Sequence, residues 1–68
     1  MKVTINGETK EFDDIETLGE LMKRLGFGEE AKGIAVAVND TVIPKGRWSS
    51  TRLASGDVVE VIHAVQGG

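Results

Sequence analysis

Met1-Lys2-Val3-Thr4-Ile5-Asn6-Gly7 opens the chain and decides most of how the rest is arranged. Val3 and Ile5 alternate with Lys2 and Thr4, the period-two pattern of a strand with one buried face. Asn6-Gly7 is a hairpin signal, because both central positions of a type I′ turn need positive φ. Glu8 to Phe12 then returns as a second strand. The resulting hairpin has an apolar face that needs a cover.

That cover follows directly. Thr17-Leu18-Gly19-Glu20 has the spacing of a capping box, with the Thr17 hydroxyl on a backbone N–H and Glu20 reaching back. Leu18, Leu21, Met22 and Leu25 fall at i, i+3, i+4 and i+7 and form one apolar stripe. Asp13, Asp14 and Glu16 stand at the positive end of the helix dipole, Lys23 and Arg24 at the negative end. Gly26 suits the left-handed residue that ends a helix. Gly19 in the first turn costs about 1 kcal/mol against alanine, which points to something packed closely there.

Beyond a loop over Phe27 to Gly33, Ile34 to Val38 is an unbroken apolar run, expected for a strand covered on both sides or lying centrally in a sheet. Asn39-Asp40 makes a turn and Thr41-Val42-Ile43 a short strand stopped by Pro44. Lys45 to Leu53 is irregular, with a helical turn near Trp48-Ser49-Ser50. Ser55-Gly56-Asp57 turns into a last strand, Val58 to Val65. The order β-β-α-β-β-β describes an α+β domain, one helix across a mixed four- to five-stranded sheet. In such a layout the first and last strands can pair in parallel at the centre.

Composition narrows the function. A chain of 68 residues is one domain whose core supplies only ~3–5 kcal/mol, with little room for a closed small-molecule pocket. These bounds argue against a self-sufficient enzyme. There is no cysteine, hence no disulfide, no thiolate nucleophile and no Cys-based zinc site, which suits a reducing compartment and a cytoplasmic location. No apolar stretch approaches the ~20 residues of a membrane span. A net charge of −3 with scattered basic residues argues against nucleic acid as a partner. The start of the chain is too short and strand-like for a signal peptide.

His63 is the sole imidazole, so a metal site or a Ser-His-Asp triad lacks its usual members and His63 reads as a plain strand residue. Trp48 beside Arg47 either anchors a partner or covers one edge of the core. In the last strand, burying Val59 and Val61 turns Val58, Glu60 and Ile62 outward, while the opposite parity would bury Glu60. Val58 and Ile62 then form an apolar patch beside a charge, a candidate partner surface.

The final residues, Val65-Gln66-Gly67-Gly68, carry the sharpest hint. Glycine has no Cβ, so such a tail can thread a narrow channel and place a carboxylate at another enzyme's reactive atoms. Ala64 to Gly68 span about 17 Å when extended. The chain divides into a body, 1–65, and a protruding flexible tail, 66–68.

Hairpin, helix, sheet and Gly-Gly tail together resemble the ubiquitin-like β-grasp family, and within it the ThiS-type sulfur carriers of thiamin biosynthesis. The resemblance rests on Met1 to Gly7, on Ala35-Val36-Ala37-Val38-Asn39, on Val42-Ile43-Pro44 followed by Trp48, and on Gly56-Asp57 before the strand and tail. It implies a carrier rather than an enzyme, with no bound cofactor or metal. A ThiF-type adenylating enzyme would use ATP and magnesium to convert the Gly68 carboxylate into an acyl-adenylate. Sulfur derived from a cysteine desulfurase would then leave a thiocarboxylate on Gly68, with Val65, Gln66 and Gly67 in the partner's tunnel. A ThiG-type thiazole synthase would take the sulfur. MoaD-type carriers of molybdopterin synthesis and ubiquitin-like protein modifiers also end in Gly-Gly. The MoaD type usually has a proline before its terminal segment and a longer chain, which this sequence lacks.

Overall fold

The computed structural model describes residues 1–28 and 32–63. Strands β1 (Lys2–Ile5) and β2 (Glu8–Glu11) form the opening hairpin, and helix α1 (Leu18–Arg24) follows. Then come β3 (Ile34–Val38), β4 (Thr41–Val42), a 3₁₀ segment (Lys45–Ser50) and β5 (Val58–His63). The sheet order is β2-β1-β5-β3-β4. β1 and β5 run parallel at its centre, with Thr4 opposite Val58 and Ile5 opposite Val59. β5 is antiparallel to β3, pairing Ala35 with Ile62 and Ala37 with Glu60. This is the β-grasp arrangement.

Local chemistry explains the elements. Asn6 (φ 49°) and Gly7 (φ 87°) take the two positive φ values of the first turn, and Asn39 (φ 49°) and Asp40 (φ 70°) repeat the device between β3 and β4. The Asn6 amide also donates to Val61 O at 3.1 Å while its Oδ1 accepts from Val61 N at 2.9 Å. One side chain thus extends the β1–β5 ladder past the end of β1. Asn39, just past the end of β3, ties that strand to the start of β5, accepting from Val58 N at 2.9 Å and donating to Asp57 Oδ1 at 3.0 Å.

α1 has only seven residues, far below the ~12–15 at which an isolated helix is even marginal, so packing and caps hold it. Leu18, Leu21 and Met22 are fully buried with Val3, Val36 and Val59. Thr17 accepts from Glu20 N at 3.2 Å, and Glu20 Oε1 accepts from Glu16 N at 2.8 Å and Thr17 N at 3.0 Å. The backbone donors of Glu16 and then Thr17 hold the Glu20 carboxyl below its ordinary range. A lowered folded-state pKa stabilises the fold above the unfolded value near 4.5, and that contribution is lost as pH falls through the folded value. Glu20→Gln keeps a neutral acceptor but cannot titrate. Urea unfolding is therefore expected to separate the variant from wild type near pH ~7, with the difference shrinking as pH falls below about 4.5 and through the folded value.

The structure amends several sequence expectations. β2 stops at Glu11 and β4 has two residues; Ile43 N still donates to Val36 O at 2.8 Å, its side chain half-buried against the core, just before Pro44. Lys45 to Ser50 is a continuous 3₁₀ helix rather than one turn, capped where Thr51 Oγ1 donates to Arg47 O at 2.7 Å. β3 lies between two strands but is covered on one face only: Val36 and Val38 are buried while Ala35 is exposed. The last strand is described to His63, and its expected continuation through Val65 lies outside the described residues.

Candidate functional site

Helix α1 covers one face of the sheet and leaves the other open. On β5 the alternation puts Val59 fully inside and turns Val58, Glu60 and Ile62 outward, the parity that avoids burying Glu60. Val58 is 45% exposed and Ile62 60%. Their neighbours on the open face are small: Ala35 stands opposite Ile62, Ala37 opposite Glu60, and Val42 of β4, 69% exposed, opposite Ala37. The alanines make a shallow floor from which Val42, Val58 and Ile62 project. Three exposed aliphatic side chains thus stand around one shallow floor on this face.

Glu60 lies at the centre of that surface. Its carboxylate has no hydrogen bond or ion pair among the described residues. Val42 was not singled out from the sequence; its exposure follows from the β3–β4 register, which only the Asn39-Asp40 turn hinted at.

Trp48 lies elsewhere. It is 4% exposed, packed in the core, and its Nε1 donates to Ile43 O at 3.0 Å. Its indole offers a partner little surface. Gly19 explains how Trp48 is held: a Cβ there would stand 3.0 Å from Ser49 Cα, so α1 and the 3₁₀ segment meet backbone to backbone. A groove of about 370 Å³ runs along this seam, lined by Lys23, Phe27, Lys45 and Ser49 among others. Glu20, on its rim, is committed to the capping box. His63 ends β5 with its ring edge-on to Phe27, centroids 5.1 Å apart at 67°.

Val65, Gln66, Gly67 and Gly68 lie outside the described residues. Among the described residues no group of three acidic or histidine side chains is placed to hold a metal ion, and no helix is long and apolar enough to cross a membrane.

The chain's relatives agree with this architecture. A family model described as "ThiS family" matches residues 3–68. The sulfur carrier protein ThiS of Thermus thermophilus is 36% identical over 66 residues, covering 97% of this chain and 98% of that protein. A protein named thiazole synthase from Magnetococcus marinus is 35% identical over 68 residues, and the chain spans only 20% of its length. The crystal structure of the thiamine biosynthesis protein (ThiS) from Geobacter metallireducens superposes with a TM-score of 0.82 at 28% identity, each chain covered fully. Likeness in sequence from β1 to the last residue and likeness of fold over the whole length place this chain in the ThiS family.

Proposed function

We propose that this protein carries sulfur for assembly of the thiamin thiazole, held as a thiocarboxylate on Gly68. The observation that carries the reading is the end-to-end similarity to a protein named sulfur carrier ThiS. Two others support it. Proteins named thiazole synthase contain a stretch similar to this whole chain, which suits a carrier and a consumer of sulfur that work on one another. And with no cysteine in 68 residues, no side-chain thiol can hold the cargo.

The chemistry follows from the group available. A carboxylate is a poor electrophile, so a ThiF-type enzyme with ATP and magnesium forms the Gly68 acyl-adenylate and releases pyrophosphate. The terminal sulfur of a cysteine persulfide, supplied through a desulfurase, forms a C–S bond as the bond to AMP breaks. A thiol then reduces the remaining S–S bond and frees the thiocarboxylate for a ThiG-type thiazole synthase. The carrier itself supplies a slender tail and a docking body, and contact with several enzymes in turn suits a small interface.

Intact-protein mass spectrometry after purification from the native host tests this, with and without the adenylating enzyme, ATP and a sulfur source. The expected result is a mass gain equal to one oxygen exchanged for sulfur, on the peptide containing Gly68. An unchanged mass, beside a control carrier that is converted, overturns the reading. A complemented thiamin requirement places the pathway; restored molybdoenzyme activity instead would move the protein to molybdopterin synthesis.

The open face is the proposed docking surface for the adenylating enzyme. Ile62→Thr keeps a β-branched residue on β5 and removes apolar bulk. It is expected to raise KM for adenylation about tenfold while changing the melting temperature by no more than ~4 °C. A large fall in melting temperature would show that Ile62 supports the fold instead.

A further inference from the structure

We infer that Glu60 selects the docking partner: the surface that closes on the open sheet face presents a single cation, an arginine or lysine, inside an apolar ring. The inference rests on the sulfur-carrier reading and commits to the adenylating enzyme as the occupant.

Glu60 projects from the central strand, between Val58 and Ile62 along β5 and opposite Ala37, with Val42 one strand further. Three of these neighbours are the exposed large aliphatic residues of the described structure. The carboxylate contributes no hydrogen bond or ion pair within the described fold, so folding gives no account of it. Glutamate is also a poor strand former compared with valine or threonine at such a position. Nor does it guard an edge, where charges on strands discourage stray pairing, because β5 is hydrogen-bonded on both sides.

A partner that covers the aliphatic ring must also cover Glu60. An ionised carboxylate taken out of water without a counter-charge opposes association, and one matched by a cation permits it and rejects surfaces that lack one. Arginine is the best fit, being enriched at the centres of interfaces and able to grip a carboxylate with two parallel hydrogen bonds. A second copy of this chain is a poor occupant. A two-fold contact over this face would bring Glu60 against Glu60, between molecules that each carry a net charge of −3.

The test is the steady-state rate of adenylation by the cognate adenylating enzyme, for wild type and for Glu60→Gln, Glu60→Leu, Glu60→Lys and Ile62→Thr. Glu60 is exposed, so its variants are expected to fold, and circular dichroism checks this. Expected are a roughly tenfold loss in kcat/KM for Glu60→Gln, carried by KM, and about 100-fold or more for Glu60→Lys. Raising salt from about 0.05 to about 0.5 M should weaken wild type more steeply than Glu60→Gln. Reversal of one basic residue on the enzyme to glutamate should rescue Glu60→Lys.

Glu60→Leu is the decisive variant. It extends the apolar ring, so it tightens docking if the partner is apolar opposite Glu60 and weakens it if a cation waits there. Tighter docking, or Glu60→Gln equal to wild type in KM and salt slope, overturns the inference. If that happens while Ile62→Thr is still impaired, the sulfur-carrier reading stands and only the role of Glu60 falls. If wild type itself is not adenylated, the carrier reading fails and takes this inference with it. A stable wild-type dimer in sedimentation equilibrium would assign the face to a second copy and also overturn it.

Discussion

Leu21→Ala is expected to cost about 2–5 kcal/mol, enough to leave much of the population unfolded near body temperature. Leu21 is fully buried in the middle of the two-turn helix, in one cluster with Val3, Val36 and Val59. Removing its branched end takes away transfer energy and leaves a cavity that its neighbours cannot readily fill. The cluster includes β-branched valines fixed by sheet register, and stiff side chains of this kind do not swing into a gap. The helix has no reserve, because seven residues do not persist in water without the sheet beneath them. The single tryptophan reports the outcome, since Trp48 is buried and hydrogen-bonded in the native state and wet when unfolded. Urea titration followed by its fluorescence should show a much lower midpoint at an unchanged slope. A loss below about 1 kcal/mol would show that the helix settles onto the sheet and closes the gap.

The parts of this fold that were legible in the sequence are those governed by local chemistry. Asn6-Gly7 had to be a turn because few residue pairs accept two positive φ values in succession, and Thr17 with Glu20 had to begin a helix because each satisfies the other's orphan backbone donor. The parallel contact of β1 with β5 was legible only as a permitted arrangement. Its register depends on residues some 54 positions apart (58 − 4), and much of it is secured by the side-chain amide of Asn6, which a sequence displays only as a turn residue. The open face was half legible. The charge of Glu60 fixed the parity of β5 and so brought Val58 and Ile62 outward. The alanines of β3 left two options open, since an unbroken apolar run looks the same whether its small residues pack under a second layer or floor an open surface of a strand inside the sheet. Trp48 was ambiguous for a related reason: its partner is the Ile43 carbonyl, and its seat depends on how near α1 approaches at Gly19.

Gly19 makes the opposite prediction from Leu21, that adding atoms is as damaging as removing them. In most helices a glycine near the first turn is a weakness, and alanine would strengthen the protein by about 1 kcal/mol. Here a Cβ would stand 3.0 Å from Ser49 Cα and 3.2 Å from Ser49 N, both backbone atoms of the 3₁₀ segment. Backbone cannot rotate aside as a side-chain end can, so α1 and Lys45–Ser50 must separate. In Gly19→Ala the gain in helix propensity and the strain of that separation oppose each other, and stability is expected to rise less than at an unobstructed glycine or to fall. Gly19→Val adds two further carbons and the χ1 restriction of a β-branched residue, and is expected to destabilise by about 2–3 kcal/mol. Because the 3₁₀ segment carries Trp48, the same separation lets water reach the indole, so native-state fluorescence should shift to the red before any unfolding. Gly46→Ala is the internal control. It lies in the same segment, its Cβ would meet nothing within 4 Å, and its backbone is not in the left-handed region. Thermal unfolding of the three variants therefore separates a steric seam from a general intolerance of the segment. If Gly19→Val melts with wild type, the 3₁₀ segment moves freely over the helix and the seam holds neither element in place.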